Sequence, residues 1–411
     1  MVKLLQASRL ALNRKRSNIL SNFLLTCLVI LCIIFPKGGF KLSGIPITNG
    51  YLLFFTLVIL CFVINLYSND FGRICYSQLA VLSSVTLFVF ISTVTILING
   101  YNDFSYLISF FINLLVIPLS FLLILKKYIL KIDLNYFIFL FKIAILLVSS
   151  FGIIMFFVKI LFDIDFQIPF ITSNVDDENL TDKFNNRGGI SKLTSTYNNG
   201  NIYGISLLMF MPLYFLVEAN KLFRFILLTS LVLTLSRTVW LGIVFYHVIK
   251  IFDSNLKDKV LISFSIICVL SGISFAMSLI GLDMDFILDA NLGGRSESAF
   301  DFQISLFSAS PFNAVSEIVP LAMLRYFGIV GVISFFILML LPVLLWYIRL
   351  LPHSKSDYKK SLAIGLIVYN FIMFSDGALN YIPVMLFYWF LVALLLSNNI
   401  PSDLNSDSQL S

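Results

Sequence analysis

Charge and histidine are what this chain has least of. Only 12% of its 411 residues are Asp, Glu, Lys or Arg, against roughly 25% in a soluble domain. That scarcity excludes a separate soluble unit. Even the longest polar stretches, Asp163–Asn201 and Leu282–Val319, fall short of the roughly 50 residues such a unit needs. The histidines are His247 and His353. The first falls toward the inner end of an expected membrane span and the second in an inner loop. A Ser-His-Asp arrangement or a His-based metal site on the outer face is therefore excluded. Nucleotide-binding Gly-Lys-Ser/Thr and Gly-x-Gly-x-x-Gly patterns are missing too. The cysteines, Cys27, Cys32, Cys61, Cys75 and Cys268, avoid the expected outer loops and imply no disulfide framework. They read as small core hydrophobes.

What the chain has in abundance is apolar length. Hydrophobic residues make up 59% of it, and its mean hydropathy is +0.96. Several runs exceed the roughly 18 apolar residues that cross a bilayer. The expected fold is all-α, a polytopic transmembrane bundle of about twelve spans. The spans fall at about 18–35, 50–67, 77–98, 104–125, 136–162, 201–217, 222–236, 238–252, 260–281, 321–347, 361–375 and 381–397. Residues 1–401 then form a single integral membrane domain, and 402–411 a polar, disordered tail. Arg9, Arg14, Lys15 and Arg16 precede the first apolar run, Ile19–Phe35, as in a signal peptide. Pro36-Lys37-Gly38-Gly39 offers no small-x-small cleavage site, so the run is expected to stay as the first span.

The net charge of +6 is an insertion signal rather than a nucleic-acid footprint, because the basic residues occupy alternate short loops. Arg73, Lys126/Lys127/Lys131, Lys221/Arg224, Lys257/Lys259 and Arg349/Lys355/Lys359/Lys360 fall on one side with the N-terminus. By the positive-inside rule that side is the cytoplasm, and both termini lie there. This alternation requires Leu222–Phe252 to be two short spans. A span of about 15 residues rises only ~22 Å, short of the ~30 Å hydrocarbon core. The turn at Ser236-Arg237 is therefore expected in a recess below the outer surface.

Two long loops, 163–200 and 282–320, are expected outside. Each is rich in acids. Within the second, Ser296–Ser308 places Phe300, Ile304 and Phe307 at helical spacing. That pattern predicts an amphipathic helix lying on the membrane surface.

The candidate site residues come from these outer segments. Arg187, Arg237 and Arg295 flank the recess, and Arg325 stands at a span entrance. A guanidinium near the membrane is costly unless paired or wet, and it matches a phosphate in a planar, bidentate way. Each arginine therefore either binds a lipid-linked phosphate or pairs and snorkels locally. Thr194, Tyr197, Asn198 and Asn201 supply hydroxyls and amides. They suit hydrogen bonding to sugars, or a helix start capped by Asn199 or Asn201. The pairs Asp163/Asp165 and Asp283/Asp285 have a common acid spacing, and no metal is expected. Glu317 closes the second outer loop, eleven residues before Gly328-Ile329-Val330-Gly331. A carboxylate there can take a proton from a sugar hydroxyl, or serve as a counter-ion for Arg325.

Four features line up over Arg187–Pro342. They are Arg187 with Asn198–Gly204 entering a span, Leu235-Ser236-Arg237, Gly294-Arg295, and Gly328-Ile329-Val330-Gly331. In this order they resemble the O-antigen polymerase and ligase superfamily of the Wzy type. Its ligases carry a histidine where this chain has Glu317, which favours a polymerase over a ligase. The resemblance implies glycosyl transfer at the outer face of the bacterial cytoplasmic membrane. A growing glycan on undecaprenyl pyrophosphate moves onto a new lipid-linked repeat unit, with no cofactor, metal or nucleotide. It implies Glu317 and Arg237 as catalytic residues, and Arg187, Arg295, Arg325, Thr194, Tyr197, Asn198 and Asn201 as pyrophosphate- or glycan-binding ones. It also implies a chain-length regulator and a flippase as partners. The competing reading is a lipid-linked oligosaccharide flippase. That reading requires two halves of related hydropathy, which this sequence lacks.

Overall fold

A computed structural model describes residues 19, 21–42, 45–162, 164, 168, 171–172, 186–187, 190–197, 199–252, 259, 267, 271, 304–381 and 383–398. The fold is a helical bundle. Helix α1 (Ser21–Ile34) leads into a hairpin of β1 (Gly39–Leu42) and β2 (Ile45–Thr48). Then follow α2 (Asn49–Ser68), α3 (Tyr76–Asn99), α4 (Phe104–Ile124), a single turn at Lys126–Ile129, and α5 (Leu134–Phe162). A small hairpin, β3 (Asn186–Arg187) with β4 (Ile190–Ser191), precedes α6 (Gly200–Val217), α7 (Lys221–Val232) and α8 (Arg237–Phe252). The last three are α9 (Val319–Tyr347), α10 (Asp357–Ile372) and α11 (Val384–Leu396). Among the described residues, six helices (α2 to α6 and α9) are long and apolar enough to cross a membrane.

Local chemistry fixes the starts. Thr48, Asp103, Asn199, Asn220 and Ser356 each accept a backbone N–H of the turn they open, satisfying donors that a helix start leaves over. The expected two-helix reading of Leu222–Phe252 is what the chain adopts. The break falls at 233–236, where Leu235 takes a left-handed conformation, φ 50°. The final span expected from 381 begins only at Val384. The described end of the expected amphipathic helix over 296–308, Ile304–Ser308, is not helical. Its carbonyls are used elsewhere, as shown below. The tail 402–411, Arg295, Asn198 and the expected span 260–281, apart from residues 267 and 271, lie outside the described residues.

The centre of the bundle is built from short helices. Every residue of α11 is buried, and α6 is buried along most of its length. A helix apolar on all sides belongs inside rather than on a surface. The longer α2, α3 and α5 surround this centre and keep an exposed apolar face. Close approach of α10 to α6 depends on Gly365, where a Cβ would stand 2.2 Å from the Met209 carbonyl oxygen.

The loops sort into two groups. At one end, Lys127 pairs with Asp70 at 2.8 Å and Lys142 with Glu218 at 3.1 Å. Lys359 lies buried there and donates to the carbonyls of Leu394, Leu395 and Ser397. Its ammonium thus caps the C-terminus of α11, where unpaired carbonyls carry partial negative charge. At the other end, Leu193 N–H donates to Leu233 O, Gly377 N–H to Glu317 O, and Phe312 N–H to Gly100 O. The Tyr197 hydroxyl donates to Ile33 O there as well. The basic residues of the loops after α2, α4, α6 and α9 collect at the first end, and the candidate residues that are described at the second.

Candidate functional site

The site end is organised by two interruptions. The first is the turn between α7 and α8. Thr234, Leu235 and Ser236 are buried, because the segment 192–197 lies over them and bonds Leu193 N–H to Leu233 O at 3.0 Å. Arg237 opens α8 from this covered turn and is half-buried. A cation at a helix start opposes the dipole, so the guanidinium and the first N–H groups together favour an anion. Next to it, Thr238 shares a hydrogen bond of 2.9 Å with Ser375.

The second interruption is inside α9. Gly328 adopts φ 71° and ψ −169°, which splits the helix into Val319–Phe327 and the stretch after it. The restarting turn needs acceptors, and the segment before α9 provides them. Ile329 N–H donates to Ser305 O at 3.0 Å and Val330 N–H to Leu306 O at 3.2 Å. The Ser308 hydroxyl donates to the Arg325 carbonyl, which an unbroken helix would have used itself. This is why Ile304–Ser308 is not helical. Phe312 then plugs the same region, with ring centroids 5.1 Å from Phe110 and 5.3 Å from Tyr326.

Between these interruptions lies a buried carboxylate that sequence reasoning missed. Asp376 is 3% exposed. Its Oδ2 accepts from Asn201 Nδ2 at 2.9 Å and its Oδ1 from Ala378 N–H at 3.1 Å. Lys192, also buried, donates to Asn201 Oδ1 at 3.4 Å. Lys192, Asn201 and Asp376 thus tie the first long loop, the start of α6 and the loop after α10 together. The signal was present in the sequence. Asp376 is a single acid in a five-residue gap between the apolar runs expected at about 361–375 and 381–397.

The expected residues divide accordingly. Arg237 and Glu317 both lie at this end. Glu317 is half-buried, and its backbone carbonyl holds Gly377 N–H at 2.9 Å. Burial, then the neighbouring Glu317 and Asp376 carboxylates, and Tyr106, push the Tyr381 phenol above its ordinary pKa. The Gly377 N–H bond to the Glu317 carbonyl brings the segments carrying the two acids together. Arg325 lies on the first half of α9 with its guanidinium 5.9 Å from the Tyr326 ring centroid. Arg187 sits in β3, joined to Ile190 by the hairpin register.

Two of the residues expected to face a sugar are engaged within the protein, and one expected cap is in place. Tyr197 is fully buried and its hydroxyl is spent on Ile33 O, so it packs the loop onto α1. Asn201 is held by Asp376 and Lys192, which makes it a link between the first long loop and the loop after α10. The cap of α6 is Asn199, which accepts from Asn201 N–H and Ile202 N–H. Thr194 remains half-exposed beside this network. Among the described residues, no group of acids, cysteines and histidines is placed to hold a metal. No family model matches the chain, and no curated protein matches it in sequence.

Proposed function

We propose that the protein is a membrane glycosyltransferase, a polymerase of a bacterial surface polysaccharide. It takes a growing glycan from undecaprenyl pyrophosphate and joins it to the acceptor sugar of a new lipid-linked repeat unit. In this reading α1 to α11, with the span expected at about 260–281, make twelve spans. The basic end and both termini face the cytoplasm, and the site end faces outward from the cytoplasmic membrane. A flippase and a chain-length regulator are the natural partners of such an enzyme.

The observation that carries this reading is that Arg237 opens α8 beside Thr238, whose hydroxyl bonds Ser375, the residue before the buried Asp376, while the next residue, Gly377, bonds the Glu317 carbonyl, all at the end opposite the basic loops. The chemistry needs those groups. The acceptor hydroxyl oxygen bonds to the donor sugar's anomeric carbon as the bond from that carbon to the phosphate oxygen breaks. The hydroxyl proton passes to a carboxylate, which in this scheme is Glu317. Charge left on the departing pyrophosphate falls to Arg237, where a fixed guanidinium in a partly dry setting acts most strongly. Arg187, Arg295 and Arg325 are further phosphate contacts in this scheme.

An interrupted helix is also a transporter feature. Here the break at Gly328 is filled by the chain's own Ser305 and Leu306 carbonyls, which favours a fixed enzyme site over a moving gate.

Arg237→Lys tests the assignment. Lysine keeps the charge and loses the bidentate fork. In a deletion strain carrying the variant, polymer should fall by about a hundredfold or more. Arg73→Lys, in the loop joining α2 to α3 at the opposite end, should be silent. Normal polymer from Arg237→Lys at normal protein level would return Arg237 to a packing role.

A further inference from the structure

Residues 304–308 are not helical, yet every carbonyl from Ser305 to Ser308 has a donor inside the protein. Ser305 O and Leu306 O accept from Ile329 and Val330 N–H. Phe307 O accepts from the Ser305 hydroxyl at 2.7 Å, and Ser308 O from Asn99 Nδ2 at 2.6 Å. A loop in water has no need of this, because water serves its carbonyls. A segment at membrane depth does need it, since hydrocarbon offers a carbonyl nothing. The side chains agree. Ile304, Leu306 and Phe307 are 70%, 65% and 63% exposed, so the segment hides its acceptors and shows apolar groups. The N–H groups of Leu306 and Phe307 meet no acceptor among the described residues. The ester and phosphate layer of a lipid leaflet is rich in acceptors.

The neighbouring helices set the depth. From Ile329 to Tyr347, α9 rises roughly 28 Å, close to the ~30 Å hydrocarbon core. The break at Gly328 therefore stands at the boundary of the core rather than in its middle. Along the same stretch Ile329, Ile333, Ile337, Leu340 and Leu344 are exposed at helical spacing, a stripe that lipid covers in the membrane reading. The adjacent α3 ends in exposed Leu97 and Ile98. Residues 305–308 are bonded to both helices, to α9 through Ser305 and Leu306 and to α3 through Asn99. Their apolar side chains thus continue a lipid-facing surface. In the turn after α3, Tyr101 pairs with Phe312 and is exposed, as is Phe104, whose ring centroid lies 6.1 Å away. Aromatic side chains gather at this level of a membrane.

We infer that Ile304–Phe307 is seated in the lipid leaflet at the site end, the outer one in the orientation proposed above. Ile304, Leu306 and Phe307 enter the acyl-chain boundary, and the occupant of this surface is the bilayer rather than a second protein. This rests on the membrane placement alone and not on the transferase chemistry. The Ser308 hydroxyl holds the Arg325 carbonyl, and two backbone bonds hold the restart of α9. The seat thereby fixes the depth at which the broken helix and the Arg325 turn stand. That depth is the headgroup level, where lipid-borne phosphates lie.

The test uses the full chain in phospholipid vesicles, with its five cysteines replaced. A nitroxide is attached to Leu306→Cys and, in a second protein, to Phe307→Cys. Ile333→Cys, on the exposed stripe of α9, marks lipid. Lys355→Cys, in an exposed loop at the basic end, marks water. Oxygen concentrates in lipid and a neutral nickel chelate in water, so relaxation by the two reads depth. Labels at 306 and 307 should favour oxygen, as at 333. The same labels favouring nickel, as at 355, would overturn the seat. So would labels shielded from both reagents, because protein would then cover the segment. A water-like result at 333 would remove the membrane placement of α9 and the seat with it. Phe307→Trp in the otherwise native chain needs no cysteine replacement. In vesicles of brominated phospholipid its fluorescence should be quenched beyond the wild-type level, and no added quenching would also overturn the seat.

Discussion

Gly328→Ala should destabilise the protein by about 3 kcal/mol or more. The backbone there, φ 71° and ψ −169°, is a conformation only glycine adopts without strain. An added Cβ would also stand 2.5 Å from the Leu306 carbonyl oxygen. That oxygen cannot retreat, because it accepts Val330 N–H. The variant must lose either the break in α9 or the loop that fills it. The expected result is a lower melting temperature in detergent and faster protease cleavage in the segment 304–316. A stable Gly328→Ala protein with wild-type cleavage would mean that the helix runs through this point unbroken.

Asp376→Ala should be as severe and should separate stability from chemistry. It strands the Asn201 amide and the Ala378 N–H in a buried setting, each costing about 1–3 kcal/mol. Asp376→Asn keeps the size and one acceptor, but one of its two ends then offers N–H groups where an acceptor is needed. The expected order of melting temperature is wild type, then Asn, then Ala. Polymer should be lost in both variants, because the loop that carries Ser375, Tyr381 and the Glu317 contact loses its anchor. Wild-type polymer from Asp376→Ala would remove this network from the account.

Most helix positions were legible because apolar length is a strong signal and alternating basic loops constrain how it is divided. The break between α7 and α8 followed from charge alone, since a single helix there would have misplaced the basic residues from Arg349 to Lys360. Gly328 was visible as part of a motif, yet the broken helix was not. Its run of apolar residues continues on both sides, and the deciding partner, Ser305-Leu306, is brought to it by tertiary structure. The same fact misled the reading of Ile304–Phe307 as helical. Those residues have helical spacing, but their carbonyls are claimed by α9. Tyr197 and Asn201 looked like ligand contacts because polar residues in a loop usually face water. Here the loop folds inward over the turn at 233–236, so its polar groups serve the interior. Asp376 is hard to single out because it sits in a short gap between apolar runs, and only the folded chain shows that the gap is buried.

We propose that this chain joins lipid-linked repeat units outside the cytoplasmic membrane. This is tested most directly by deleting the chain in its source strain and sizing the glycan left on the undecaprenyl carrier, together with the side of the membrane that holds it. The account predicts single repeat units on the outer face and no polymer, with polymer restored by the wild-type chain and not by Arg237→Lys. Polymer of normal length in the deletion strain, or repeat units held on the inner face, would contradict it.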